Sequence, residues 1–300
     1  MSYYRVLGLE REPFSTSPDP AFFYQSPQYR ATLANLIIEF RLKRGLSVVL
    51  GDIGIGKTTL GRKLIQLLRE RPGFVCHLIL DPTYPSEDVF FNALMRTLRI
   101  DLPTATPTLV DYRDALEQYL YRKGVEEQQM VVLVIDEAHK LNPLSLETLR
   151  VLLNYETNDA KLLQLVLLGQ MELLPNLTNL PNFADRISLK STLKPLKLEE
   201  VSELIRFRLW EAGYRARVAL FADEAVEEIY ASSGGYPRRI AMLCHQSLRH
   251  LVMRNGRWVD LAMVRSILED EIDAGWSPHL SSARRAEAGR RPSANALVGG

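Results

Sequence analysis

The chain is poor in cysteine, in long apolar runs and in excess charge of either sign, and each shortage removes a class of function. Two cysteines among 300 residues, Cys76 and Cys244, make neither a disulfide framework nor a metal-binding cluster. Each lies within an apolar segment, where a buried, reduced thiol belongs. The formal net charge is +1, with 37 basic against 36 acidic residues, so no global field draws nucleic acid or a membrane surface. Only a local basic patch is left for such a role. No apolar run approaches the roughly 20 residues of a bilayer span. The longest, from Leu162 to Leu168, is interrupted by Gln164 and has the length of a strand. The opening MSYYRVLGLEREPF lacks the charged-then-apolar build of a secretory leader, and no internal repeat is visible. These absences predict a soluble, cytoplasmic protein without a membrane segment of its own. What remains is an ordinary globular composition, 46% apolar and 24% charged, long enough for two domains.

The strongest local signal is LSVVLGDIGIGKTTL, residues 46–60. An apolar β-type run stops at Gly51, and Gly51-Asp52-Ile53-Gly54-Ile55-Gly56-Lys57-Thr58 then fits G-x-x-x-x-G-K-[ST] before a helical pattern begins, with Thr59 next in line. Glycines let the backbone curl so that successive N–H groups face a phosphate. The helix N-terminus adds partial positive charge. Lys57 reaches the outer phosphates, and the Thr58 hydroxyl suits a Mg2+ position. ATP and Mg2+ are therefore the expected ligands.

Around this loop the chain reads as an arm (1–30), a nucleotide-binding α/β domain (31–194), a helical lid (195–275) and a disordered tail (276–300). Prolines at 13, 18, 20 and 27 exclude a long helix from the arm. Its aromatic residues Phe14, Phe22, Phe23 and Tyr24 are anchors on the core, or one of them lies against the adenine. Apolar runs at 46–50, 74–80, 130–135, 162–168 and 187–189 alternate with helical patterns, as a parallel sheet with helices on both faces requires. The run FVCHLIL, 74–80, reads as a strand buried on both faces. A Pro/Thr-rich stretch, 102–108, reads as a surface loop, and from Pro195 onward four helical patterns follow without strands.

Asp136 and Glu137 follow the third apolar run. Asp136 is placed to hold Mg2+, and Glu137 to orient and polarise an attacking water. The letters Asp136-Glu137-Ala138-His139 also occur in helicases, but the all-helical second half has no room for a second RecA-like core. Gln170, past the end of the next strand, is placed to touch the γ-phosphate or the water. Arg186, just before the last strand, is placed to act as an arginine finger on a neighbouring subunit's nucleotide. Arg238 follows Gly234-Gly235-Tyr236-Pro237 at a helix start, where the dipole disfavours a cation unless an anion is near, which suggests a phosphate sensor.

This ensemble resembles an AAA+ ATPase. Tyr4-Arg5-Val6-Leu7-Gly8-Leu9, Pro13-Phe14, the stretch from Pro18 to Tyr24, Val134 to His139, Leu152 to Glu156, and Leu165 to Gly169 with Gln170 and Glu172 resemble more specifically the ExeA (general secretion pathway protein A) ATPases. The related MSHA pilus-biogenesis ATPases stand close by. The resemblance implies a three-layer P-loop fold with strand order 5-1-4-3-2, and ATP-dependent assembly into a homo-oligomer. It further implies a protein partner of a secretion or pilus system. It also implies that Lys57 and Thr58 bind ATP and Mg2+, that Asp136 and Glu137 catalyse, and that Arg238 is the lid sensor. ExeA proteins usually continue into a transmembrane helix and a peptidoglycan-binding domain, where this chain has the tail. The stand-alone module is similar as well to TniB/TnsC-type transposition regulators, which form ATP-dependent filaments on DNA. That alternative draws on the basic cluster Arg249, His250, Arg254 and Arg257 with Lys43 and Arg44, and has no zinc-finger or helix-turn-helix motif behind it.

Overall fold

The computed structural model describes residues 2–102, 106–157 and 160–274. The expected surface loop at 102–108 lies partly outside them, and the expected disordered tail, 276–300, lies wholly outside. The chain forms two compact units. Residues up to Thr16, with the short helix α1 (Tyr3–Val6), join those from Leu196 onward, and Ser17–Pro195 make the second unit. The unit boundary thus passes through the segment that the sequence presents as one arm.

The larger unit holds a five-stranded parallel sheet of β1 (Leu46–Leu50), β2 (Phe74–Ile79), β3 (Met130–Ile135), β4 (Leu163–Gly169) and β5 (Ile187–Thr192). Their order is β2-β3-β4-β1-β5, which is the expected 5-1-4-3-2 read from the other side. Helices α2 (Pro27–Arg41), α3 (Lys57–Arg69), α4 (Glu87–Leu98), α5 (Leu109–Tyr121), α6 (Pro143–Leu152), α7 (Leu173–Thr178) and α8 (Pro181–Ala184) connect and cover the strands. Alternate strand residues serve opposite faces. Leu133, Ile135, Leu165 and Leu167 enter the core built with α4, α5 and α6. Val134 and Leu168 meet α3, so closely that a Cβ on Gly61 would lie 2.6 Å from Leu168 Cδ1. The central strands β1, β3 and β4 are buried almost throughout.

The polar interruption of β4, Gln164, is buried and serves the ladder. Its amide oxygen accepts from Gly45 N at 3.0 Å and its amide nitrogen donates to Lys161 O at 3.0 Å, fixing the entry to β1. Two strands differ from expectation. β2, at the edge that the order 5-1-4-3-2 gives it, is only half-buried except at Ile79, although α3 and α4 pack on its two faces. Its run of apolar letters is the same one that a central strand would have, so periodicity could not separate the two. β5 runs on through Lys190, Ser191 and Thr192, whose polar side chains suit the opposite, half-exposed edge.

The smaller unit packs α9 (Leu198–Glu211), α10 (Asp223–Ser233), α11 (Pro237–Met253) and α12 (Leu261–Asp273) around Leu204, Ile229, Leu248 and Val264. Residues of the arm dock on it: Tyr3 Oη lies 3.0 Å from His245 Nδ1 on α11, and Phe14 meets Phe221 edge to face. At the α10–α11 junction Gly234 and Gly235 both have positive φ, and Pro237 takes the first position of α11.

Candidate functional site

Parallel strands end together, so the C-terminal ends of β1, β4 and β3 form one ledge, with β4 in the middle. The phosphate loop leaves β1, Gln170 follows β4, and Asp136 and Glu137 follow β3. The fold thereby brings three separated sequence signals to one edge of the sheet.

Gly54 (φ 79) and Gly56 (φ 101) occupy left-handed backbone that only glycine adopts at ease. Gly51 is required sterically, since a Cβ there would stand 2.8 Å from Ile55 Cγ2. Gly56 caps α3, and Lys57 is its first residue. The Lys57 ammonium donates to Gly51 O at 2.7 Å and Asp52 O at 3.0 Å, so it is folded back across the loop's mouth. Thr58 Oγ1 donates to Asp136 Oδ2 at 2.5 Å. Asp136 Oδ1 accepts the Glu137 N–H at 2.9 Å, and Glu137 sits at φ 50, a strained value for a residue with a side chain. Thr59 follows in the first turn of α3.

Burial sets the electrostatics. Lys57 is lowered from the ordinary lysine value by desolvation, against the pull of Glu137, Asp136, Asp52 and Glu172. Asp136 is raised, again by desolvation first, although the Thr58 hydroxyl and the Glu137 N–H favour its charged form. Both groups are charged members of a site that resists charge. A ligand that carries phosphates and a divalent cation relieves both at once.

Residues 41–177 match a family model described as AAA domain. That match takes in 137 of the chain's 300 residues, and over this stretch the chain is similar to AAA domains. The chain is 34% identical over 249 residues to General secretion pathway protein A of Aeromonas hydrophila, a match covering 82% of the chain and 44% of the relative. It is 25% identical over 154 residues to an uncharacterized HTH-type transcriptional regulator of Methanocaldococcus jannaschii, covering 50% of the chain and 37% of the relative. The chain therefore spans less than half the length of either curated relative. Among solved structures it is similar to Cdc6p of Pyrobaculum aerophilum, with a TM-score of 0.64, 19% identity, and coverage of 82% of this chain and 67% of that one. ORC2 of Aeropyrum pernix gives a TM-score of 0.65 at 16% identity, covering 87% and 71%. RuvB of Thermotoga maritima gives 0.54 at 18% identity, covering 80% and 67%. These structures share the AAA+ P-loop fold with it.

AAA domains of this kind bind nucleotide with Mg2+, and the residues here fit that pair. The left-handed glycines form the cradle, Lys57 faces it, and Thr58 with Asp136 presents adjoining oxygen atoms for a hard cation. Mg2+ needs only one or two protein ligands when phosphates supply the rest. No helix among the described residues is long and apolar enough to cross a membrane.

Two residues that sequence reasoning did not place in the site belong to it. Tyr29 on α2 is buried, and its hydroxyl donates to Ile55 O at 2.6 Å, bracing the phosphate loop from behind. His139 Nε2 lies 3.0 Å from Gln170 Nε2 and 3.5 Å from Glu137 Oε2, linking the two expected catalytic positions. Nothing in the spacing of Tyr29 announced its role, whereas His139 stood in the open two letters after Glu137. Arg186 is not brought to this ledge. It precedes β5 at the other end of the sheet, beside Arg44, Lys161 and Asp185 around a cavity of about 330 Å3. Arg238 is the second residue of α11 in the helical unit, exposed to solvent.

Proposed function

We propose that this protein binds and hydrolyses ATP at the ledge formed by Lys57, Thr58, Asp136 and Glu137. ATP binding drives its assembly into a homo-oligomer, which positions or remodels a protein of a secretion or pilus-assembly system at the cytoplasmic side. The observation that carries the reading is the Thr58–Asp136 hydrogen bond across β1 and β3, with Lys57 and Glu137 on either side. The similarity to General secretion pathway protein A supports the choice of system.

In this scheme the loop N–H groups and Lys57 hold the phosphates. Mg2+, held through Thr58 and Asp136, would neutralise charge on the phosphate oxygens. Glu137 orients a water and takes its proton as the water oxygen attacks the γ-phosphorus and the bond to the β-phosphate oxygen breaks. Gln170, tied to His139, faces the same water or the γ-phosphate. Arg186 contributes from the neighbouring subunit, and Arg238 senses the phosphates from the lid.

An ATP-gated DNA-binding regulator is the second reading. Its basis is the exposed Arg249, Arg254 and Arg257 at the end of α11. Cations at a helix C-terminus also answer the helix dipole, so the secretion reading stands first. Light scattering of Glu137→Gln with and without ATP–Mg2+, with and without duplex DNA at low salt, separates the two. Glu137→Gln should bind ATP with turnover reduced about 10²-fold or more, and Lys57→Ala should lose binding. An oligomer that forms on ATP and ignores DNA supports the first reading. One that needs both ATP and DNA favours the second. Undiminished turnover in both variants overturns the ATPase assignment itself.

A further inference from the structure

The open edge of β2 carries chemistry that the nucleotide site does not use. β2 bonds to β3 on one side and, among the described residues, to no strand on the other. Gly73 O and Ile79 O accept from Met130 N and Asp136 N. By the alternation of a parallel ladder, the N–H and C=O groups of Phe74, Cys76 and Leu78 then turn to the open side. The strand itself, FVCHLI, contains none of the Lys, Glu or Pro residues that commonly blunt an edge.

A groove of about 730 Å3 follows this edge, and no carboxylate lines it. Arg69 enters from the end of α3, Arg96 and Arg99 from the end of α4, and Arg122 and Lys123 from the turn after α5. Lys123 and Arg122 share Glu127, at 2.5 and 3.6 Å. Arg69, Arg96 and Arg99 are exposed and make no ion pair among the described residues. His77 feels the surplus: its pKa is lowered by burial first, against a hydrogen bond to the Thr97 backbone, and Arg99, Arg69 and Lys123 lower it further. Helix dipoles account for a cation in the last turn of α3 or of α4. They do not account for five cations converging on one open strand edge from both faces of the sheet.

We infer that the β2 edge is a docking site for an extended acidic segment of a partner protein, which adds a sixth strand to the sheet. The segment's main chain pairs with Phe74, Cys76 and Leu78. Its carboxylates alternate between Arg69 on the α3 face and the four cations on the α4–α5 face. Strand addition supplies affinity through the main chain and specificity through alternate side chains. A nucleic acid would satisfy the cations but leave the strand's N–H and C=O groups without partners, so the peptide is the better fit. The inference stands apart from the nucleotide reading, because no residue of the ledge takes part.

Fluorescence anisotropy on the full chain tests it. The probes are a labelled ten-residue Glu-Val peptide in the repeat Glu-Glu-Val-Val, which puts carboxylates on both faces of a strand, the same peptide N-methylated at every residue, a Lys-Val peptide in the same repeat and a labelled 20-nucleotide single strand. The Glu-Val peptide should bind and protect the amides of Phe74, Cys76 and Leu78 from hydrogen exchange. Both Arg96→Glu/Arg99→Glu and, on the other face, Arg69→Glu should weaken it about tenfold or more, with thermal unfolding unchanged. The methylated and Lys-Val peptides should not bind. Equal binding of the methylated peptide, indifference to both charge reversals, or no binding of Glu-Val overturns the inference. So does an oligonucleotide that displaces the peptide at lower concentration, which would mark the groove as a nucleic-acid site.

Discussion

Asp136 holds its proton more tightly in the folded chain than in the unfolded one, because burial outweighs its two hydrogen bonds. Ionising it therefore opposes folding, and this cost sets in as pH rises above the unfolded value of 3.8. Asp136→Asn keeps an acceptor for Thr58 and removes the buried charge. It should raise the melting temperature of the nucleotide-free protein at pH 7 while removing Mg2+-dependent turnover. Calorimetry and a phosphate-release assay read the two effects, and a lower melting temperature would contradict the electrostatic account. Tyr29→Phe tests the brace behind the phosphate loop. Losing a bond to the buried Ile55 O should cost about 1–3 kcal/mol in urea unfolding, and the nucleotide affinity should fall with it. Lys57, Thr58, Asp136 and Glu137 were legible in the sequence because their chemistry is packed into short segments beside apolar strands. Tyr29 acts through a contact that no local spacing encodes, and His139, two letters after Glu137, needed the fold for its contact with Gln170.

At the scale of elements, β2 shows where letters stop being informative. A continuous apolar run states that a strand has sticky faces, but whether a neighbour lies beyond it depends on strand order. β5 shows the reverse: the polar residues Lys190, Ser191 and Thr192 hid half of the strand, because an edge tolerates polar side chains that a central strand does not. The junction of α10 and α11 was marked by its Gly-Gly-Tyr-Pro text, and the structure supplies the reason. Gly235 has φ 77, and a Cβ there would lie 2.1 Å from Leu196 O. Gly235→Ala should destabilise the protein by more than about 1 kcal/mol, measurable as a lowered urea midpoint with an unchanged slope. If Arg238 senses phosphate through the start of α11, ATP turnover should also fall.

For the whole molecule, the question is what one chain lacks. Arg186 stands at the end of the sheet opposite the phosphate loop, so within its own chain it does not belong to the ledge. If it completes a neighbour's site, Arg186→Ala should bind ATP normally and lose turnover, by about 10³–10⁵ where such arginines have been measured. Mixing it with Lys57→Ala should restore part of the activity, since each variant supplies what the other lacks. No recovery in the mixture would place the arginine outside the reaction.

The sequence by itself determined the alternation of strands and helices, the phosphate loop and the acidic pair, because each is written in contiguous residues whose backbone needs are local. Tertiary structure realised the order, with β4 between β1 and β3, that the family resemblance implied, and so brought Gln170 to His139, itself beside Glu137. It alone placed Tyr29 behind the phosphate loop. It also left β2 open beside five cations drawn from three different elements. These are facts of adjacency between distant segments, and adjacency is set by packing the whole sheet.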